Sequence, residues 1–128
     1  MNSYSKQDLA RLGEDLALKF LITSGYVIVC RNYRCQFGEI DLIVEKDQHL
    51  VFVEVKTRSY HSLQSALDNI TYRKQVKISQ TAQVYCNQNP AYSKHQTRFD
   101  VIVVFYDSRD NTFKVQHLID AFLPILPD

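Results

Sequence analysis

The sequence predicts a mixed α/β fold, a sheet flanked by helices with the element order α-β-β-β-α-β. Apolar residues recur at helical spacing from about Ser5 to Ser24 and again from Thr71 to about Asn87. Runs rich in Val and Ile open at Tyr26, Gly38, Leu50 and Arg98, and have the length and composition of buried strands. A doubly wound nucleotide binder is excluded, because the chain has only three glycines and none forms a cluster after the first strand. At 128 residues, the chain reads as one domain, 1–128, with its own core.

In the first helix Leu9, Leu12, Leu16 and Phe20 make the apolar face, with Gly13 and Ala17 alongside. Ser5 and Asp8 are placed to cap it, and Gly25 to stop it. Glu14 lies at the margin of that face, where a solvated flank is the plain reading. Tyr26 to Cys30 opens a strand, which Arg31 to Cys35 continues or leaves, and Gln36-Phe37-Gly38 is a turn. Gly38–Val44 and Leu50–Lys56 follow, joined by Asp47-Gln48-His49, so the three strands predict an antiparallel meander. Thr57 to Ser62 reads as a polar loop and Ser65 to Asn69 as a short helical turn. Thr71 caps the second long helix, with Ile78, Ala82 and Tyr85 on one face. Lys74, one turn before Ile78, shares that inward face, and Arg73 and Lys77 lie beside it. After a loop containing Pro90, Arg98 to Tyr106 should run parallel to Leu50–Lys56, because a helix connects the two. Thr112 to Gln116 reads as a short edge strand, and His117 to Leu123 as a helical turn ended by Pro124 and Pro127.

Three charged residues, Asp41, Glu54 and Lys56, stand inside these apolar strands. A lone buried charge costs several kcal/mol, so such groups need a partner or a metal. Alternation puts Glu54 and Lys56 on one face, and hairpin pairing would bring Asp41 beside Glu54. Two hard carboxylates suit Mg²⁺, and a neighbouring lysine can steer a water or offset charge on a phosphate in reaction. A structural alternative is a same-face Glu54–Lys56 ion pair, with Asp41 capping a turn.

Composition narrows the setting. Net charge is +1, so a nucleic-acid site would have to be a local patch. Three cysteines, with no C-x-x-C, favour free thiols in a reducing compartment over disulfides or zinc. The four histidines are scattered without ligand spacing. Nothing approaches the roughly 20 apolar residues of a membrane span, and no signal peptide is evident, so a cytoplasmic location is expected.

The spacing D-x12-E-x-K, with Glu39-Ile40-Asp41 at its head, resembles the PD-(D/E)xK signature of metal-dependent nucleases. The element order is similar to the restriction-endonuclease-like core. In more detail the chain resembles the small bacterial YraN-type family, whose members are described as endonuclease-related. The resemblance covers nearly the whole chain. It rests on Gly13-Glu14 with Ala17, Gly25-Tyr26, Arg31 to Arg34, Gly38 to Ile43, Phe52 to Arg58, Lys74 with Ile78, Ala82 and Tyr85, and Arg98-Phe99-Asp100. It departs at Ser62 to Ala66, where the family usually carries a glycine.

The resemblance implies a fold and a set of roles. Asp41, Glu54 and the backbone carbonyl of Val55 would hold Mg²⁺, or Mn²⁺ in its place. Lys56 would position or activate the attacking water, and Glu14 would reach the site directly or through water. Glu39 would hold a second metal or merely flank the site. Arg31, Arg34, Arg58 and Lys74 are candidates for phosphate contacts, while Arg98 and Asp100 are expected to pair structurally, with Arg98 joining the basic surface as the alternative. The implied activity is hydrolysis of phosphodiester bonds in DNA, branched or single-stranded, in concert with a protein partner. The alternatives are a non-catalytic nucleic-acid-binding module and an adaptor of a DNA-processing complex.

Overall fold

The computed structural model describes residues 4–59 and 63–125, and the first element among them is a helix whose own sequence closes both ends. In α1 (Lys6–Thr23) the Ser5 hydroxyl accepts the Asp8 N–H at 3.0 Å, and the Asp8 carboxylate accepts the Ser5 N–H at 3.4 Å. This reciprocal pair satisfies N–H groups that a helix leaves without partners. Gly25 then turns into left-handed backbone, φ 94°, and the Tyr26 N–H returns to the Leu21 carbonyl at 3.0 Å.

Strands β1 (Val27–Cys35), β2 (Gly38–Lys46) and β3 (His49–Ser59) form the expected antiparallel meander. Asp47 and Gln48 make a two-residue turn between β2 and β3, both left-handed, at φ 50° and 64°. That twist matches the strands, but the geometry prefers Asn-Gly, and a side chain held there costs about 1 kcal/mol. Gln48→Gly is therefore expected to stabilise the protein by about 0.5–1 kcal/mol in urea unfolding. A loss of stability would mean that the Gln48 side chain contributes more than the turn geometry indicates.

β3 does not end at Lys56. Thr57, Arg58 and Ser59, expected in a loop, remain strand because β4 (Gln96–Asp107) runs parallel beside them as far as the Ser59–Tyr106 pair. The rest of that loop, 60–62, lies outside the described residues. The crossover is made by α2 (Leu63–Leu67) and α3 (Tyr72–Gln88), with the Thr71 hydroxyl accepting the Lys74 N–H at 3.2 Å as N-cap.

The end of the chain corrects the expected helical turn over His117–Leu123. β5 (Thr112–Phe122) is one strand, antiparallel to β4. The reason is Asp100, which is fully buried. Its carboxylate accepts from Arg98 Nε at 2.8 Å, Arg98 Nη2 at 2.9 Å and the Asp120 N–H at 2.9 Å, and His117 Nε2 lies 2.7 Å away. Two of those partners come from β5, so satisfying Asp100 keeps the strand paired to β4 past Gln116. The register shifts between Phe99 and Val101, and Asp120 takes φ 56°, which a propensity reading does not foresee. Burial works against the Asp100 charge, but hydrogen bonds from His117, Arg98 and Asp120 outweigh it and hold the carboxyl below its usual range. Arg98 and Asp100 thus do pair structurally. Pro127 lies outside the described residues.

Among the described residues the sheet has the order β1-β2-β3-β4-β5. α1 covers one face, with Ala17 and Leu21 over Leu42, Val53 and Ile102. α3 covers the other, where Ile78, Ala82 and Tyr85 meet Ile43, Leu50 and Phe52. Among the described residues no helix is long and apolar enough to cross a membrane.

Candidate active site

β2 and β3 part at the acidic residues. Their pairing runs from Lys46–His49 to Leu42–Val53 and stops one position short of Asp41 and Glu54. Alternation along β2 slips at the same point: Ile40 and Ile43 both join the cluster under α3, although an odd separation should send them to opposite faces. The Asp41 side chain bridges the gap, its Oδ2 accepting the Val55 N–H at 2.8 Å. Burial and the neighbouring Glu54 push the Asp41 carboxyl up to about 7, against the pull of the Val55 hydrogen bond, with Glu14 and Glu39 adding to the rise.

Lys56 shares a strand face with Glu54, as alternation requires. Glu54 Oε1 lies 3.4 Å from Lys56 Nζ and 3.1 Å from Lys74 Nζ. Lys74 comes from α3, where the Thr71 cap fixes the helix start and so puts this side chain on the inward face. Burial lowers the Lys56 pKa, helped by Lys74 and opposed by Glu54. Burial also works against the Lys74 charge, but its contacts with Lys56, Glu54 and Asp41 outweigh it and raise its pKa.

The first helix reaches the same end of the sheet, and Gly13 allows it. A Cβ at Gly13 would fall 1.9 Å from Thr57 Oγ1 and 3.1 Å from Thr57 Cβ. This approach brings Glu14 into a cleft of about 580 Å³, lined also by Lys6, Leu9, Ala10 and Val55 through Ser59. Asp41 and Glu54 are not among its lining residues. Burial raises the Glu14 carboxyl, against the pull of Arg31, whose Nε is 3.8 Å away. Gly13→Ala is expected to destabilise by about 1–3 kcal/mol, because the overlap outweighs the gain of about 1 kcal/mol in helix propensity. Thermal melts check this, and Thr57→Ala in the same chain should recover much of the loss. A Gly13→Ala protein as stable as wild type would show that the two elements can separate freely.

The basic candidates divide. Arg58 lines the cleft and donates to the Thr57 carbonyl at 2.9 Å, and Lys74 meets Glu54. Arg31 and Arg34, on β1, are held by acids instead: Arg31 Nη2 is 2.6 Å from Asp15 and Arg34 Nε 2.9 Å from Glu39. Glu39 flanks the site through this pair. Lys6 is a cleft residue that sequence reasoning missed, since nothing local shows that the Lys6–Ala10 side of α1 faces the end of β3.

Among the described residues no group of three or more His, Cys, Asp or Glu side chains is gathered so as to hold a metal ion. Two carboxylates and a main-chain oxygen still fit Mg²⁺, which keeps several waters and takes hard oxygen ligands. Burial and Glu54 disfavour the Asp41 charge, which a divalent cation, if bound there, would offset.

The family model of the uncharacterised protein family UPF0102 matches residues 13–104, from the close-contact glycine of α1 into β4. A UPF0102 protein of Clostridium botulinum (strain Loch Maree / Type A3) is 40% identical over 119 residues, covering 93% of this chain and 97% of the relative. One from Caldicellulosiruptor bescii is 38% identical over 116 residues, covering 91% and 98%. With matches that take in both helix–sheet layers and every residue of the fork, the chain belongs to the UPF0102, or YraN-type, family.

Proposed function

We propose that the protein is a metal-dependent nuclease that hydrolyses phosphodiester bonds in DNA, with branched or single-stranded DNA as its substrates. The observation that carries this reading is the fork between β2 and β3, which leaves Asp41, Glu54 and Lys56 together at the end of the paired region. The order α-β-β-β-α-β with acids at that fork is also the arrangement of a restriction-endonuclease-like core, and this chain is read as one.

Asp41, Glu54 and the Val55 carbonyl would hold Mg²⁺ or Mn²⁺. Such an ion, when bound, supplies a Lewis acid for phosphate oxygen and lowers the pKa of its water. The Val55 N–H fixes the Asp41 carboxylate for this role. Lys56, only 11% exposed, keeps its ammonium beside Glu54, where it orients the water and offsets negative charge growing on the phosphate. The water oxygen bonds to phosphorus, the bond to the leaving sugar oxygen breaks, and that oxygen takes up a proton from solvent. Glu14, which shares its cleft with Lys56, would reach the attacking water directly or through a second water and receive the proton it gives up. Arg58 and Lys74 would contact flanking phosphates, and the near-neutral chain would draw the rest of its DNA affinity from a protein partner.

The test is a cleavage assay over a panel of DNA and RNA structures, with Mg²⁺ or Mn²⁺ against chelator. Lys56→Ala should lower cutting by at least about a hundredfold yet leave metal binding in place, because the lysine acts on the water and not on the ion. Equal cleavage with and without chelator would overturn the proposal. A non-catalytic nucleic-acid-binding module is favoured by one observation, that two ammoniums already hold Glu54 Oε1. It predicts metal-independent binding and no cutting on any substrate.

A further inference from the structure

We infer that Lys74 is an exchangeable counter-cation of this site: it holds Glu54 in the metal-free protein, gives it up to a divalent cation, and is then free to bind a phosphate. The inference rests on the metal-site reading above and adds a linkage between metal and nucleic acid.

The two lysines on Glu54 Oε1 are not equivalent. Lys56 is 11% exposed and Lys74 39% exposed, so only Lys74 has solvent to move into. Yet Lys74 makes the shorter contact, 3.1 Å against 3.4 Å. Lys56 comes from the same strand as Glu54 and is fixed beside it by alternation. Lys74 stands on α3, at the end of a flexible four-carbon chain.

Charge then dictates what happens when metal binds. Without metal, the ammoniums of Lys56 and Lys74 both lie on Glu54 Oε1, with the Asp41 carboxyl close by. A divalent ion on those carboxylates leaves two ammoniums uncompensated beside it. Like charges at such range repel, and a half-buried setting screens them poorly. Glu14 and Glu39 offset part of this, but Glu39 is engaged by Arg34 and Glu14 lies near Arg31. The mobile ammonium moves outward, and a substrate phosphate is the group that completes the balance. Metal should therefore tighten phosphate binding, and phosphate tighten metal, by the same factor.

Mg²⁺ titration calorimetry without nucleic acid tests this on wild type, Lys74→Met and Lys77→Met. Lys77 is an exposed lysine on the same helix and serves as a matched loss of charge. Lys74→Met should bind Mg²⁺ roughly three- to tenfold tighter than wild type, with Lys77→Met within about twofold. Mg²⁺ should also tighten wild-type binding to a phosphorothioate single-stranded oligonucleotide, and this tightening should largely vanish in Lys74→Met. Unchanged or weaker Mg²⁺ binding in Lys74→Met, or an equal gain in both mutants, would overturn the exchange while leaving the nuclease reading standing. A wild type that binds no Mg²⁺ would remove both.

Discussion

Replacing Asp100 by alanine is expected to lower the unfolding free energy by about 3–5 kcal/mol, the usual cost of removing one partner from a buried ion pair. Arg98 and His117 would stay behind, 17% and 8% exposed, facing a void where their acceptor had been. Arg98 would keep the Tyr26 hydroxyl, 2.8 Å from Nη2, which cannot neutralise a guanidinium. The Asp120 N–H would lose its acceptor and β5 its anchor. Urea unfolding measures the loss, and a cost under about 1 kcal/mol would mean that water satisfies the network instead. The pH dependence has a definite sign. The folded carboxyl lies below its unfolded value of 3.8, so Asp100 stabilises the fold above that pH, and the contribution fades as pH falls through the folded value.

Asp41→Asn should act in the opposite direction. In wild type, folding raises this carboxyl from 3.8 to about 7. An acid with a raised folded pKa penalises the native state, because the unfolded chain gives up its proton first. The penalty starts near pH 4, grows to about pH 7 and is constant above, with a ceiling on the order of 4 kcal/mol. Asparagine removes the charge and keeps an acceptor for the Val55 N–H. Without metal, the mutant should be about 1–3 kcal/mol more stable than wild type at pH 8, and the difference should close below about pH 5. Mg²⁺ should raise the melting temperature of wild type well above any effect on the mutant, because it binds the folded site. Melts at both pH values, with Mg²⁺ and with chelator, check this. A mutant less stable than wild type at pH 8, beside a wild type indifferent to Mg²⁺, would make Asp41 a structural residue.

These two acids show what a sequence reader can and cannot see. That Asp41 and Glu54 are neighbours follows from the lengths of two apolar runs and the turn at Asp47-Gln48. That Lys74 faces inward follows from one helical turn to Ile78, and the caps at Ser5 and Thr71 are written in local spacing. The site's finer geometry is not local. Strand pairing stops at Leu42–Val53 because Asp41 takes the Val55 N–H, and no pattern within either strand encodes that choice. Likewise, Arg31 and Arg34 look like free cations until Asp15 and Glu39 are found beside them. The stretch from His117 to Leu123 failed for the same reason. Its conformation answers to Asp100 on the neighbouring strand, and its own residue preferences are overruled.

A sheet of five strands laid in sequence order exposes two edges, β1 and β5, and an open edge invites another chain to pair with it. Val27 and Ile119, both exposed, would encourage such pairing. Each edge is broken in the same way. β1 shifts register between Ile28 and Cys30 and bends at Asn32, φ 55°. β5 bends at Asp120, φ 56°, beside the shift opposite Asp100. On β1 the two breaks leave only short runs of backbone donors and acceptors, and exposed Arg31 and Arg34 raise the barrier further; on β5 pairing stays regular from Thr112 to Leu118 and the break comes only beyond it. The residue that secures the core at Asp100 thus also limits how far a further chain could pair along this edge, because the detour that Asp120 makes to reach it puts the kink in the outer strand.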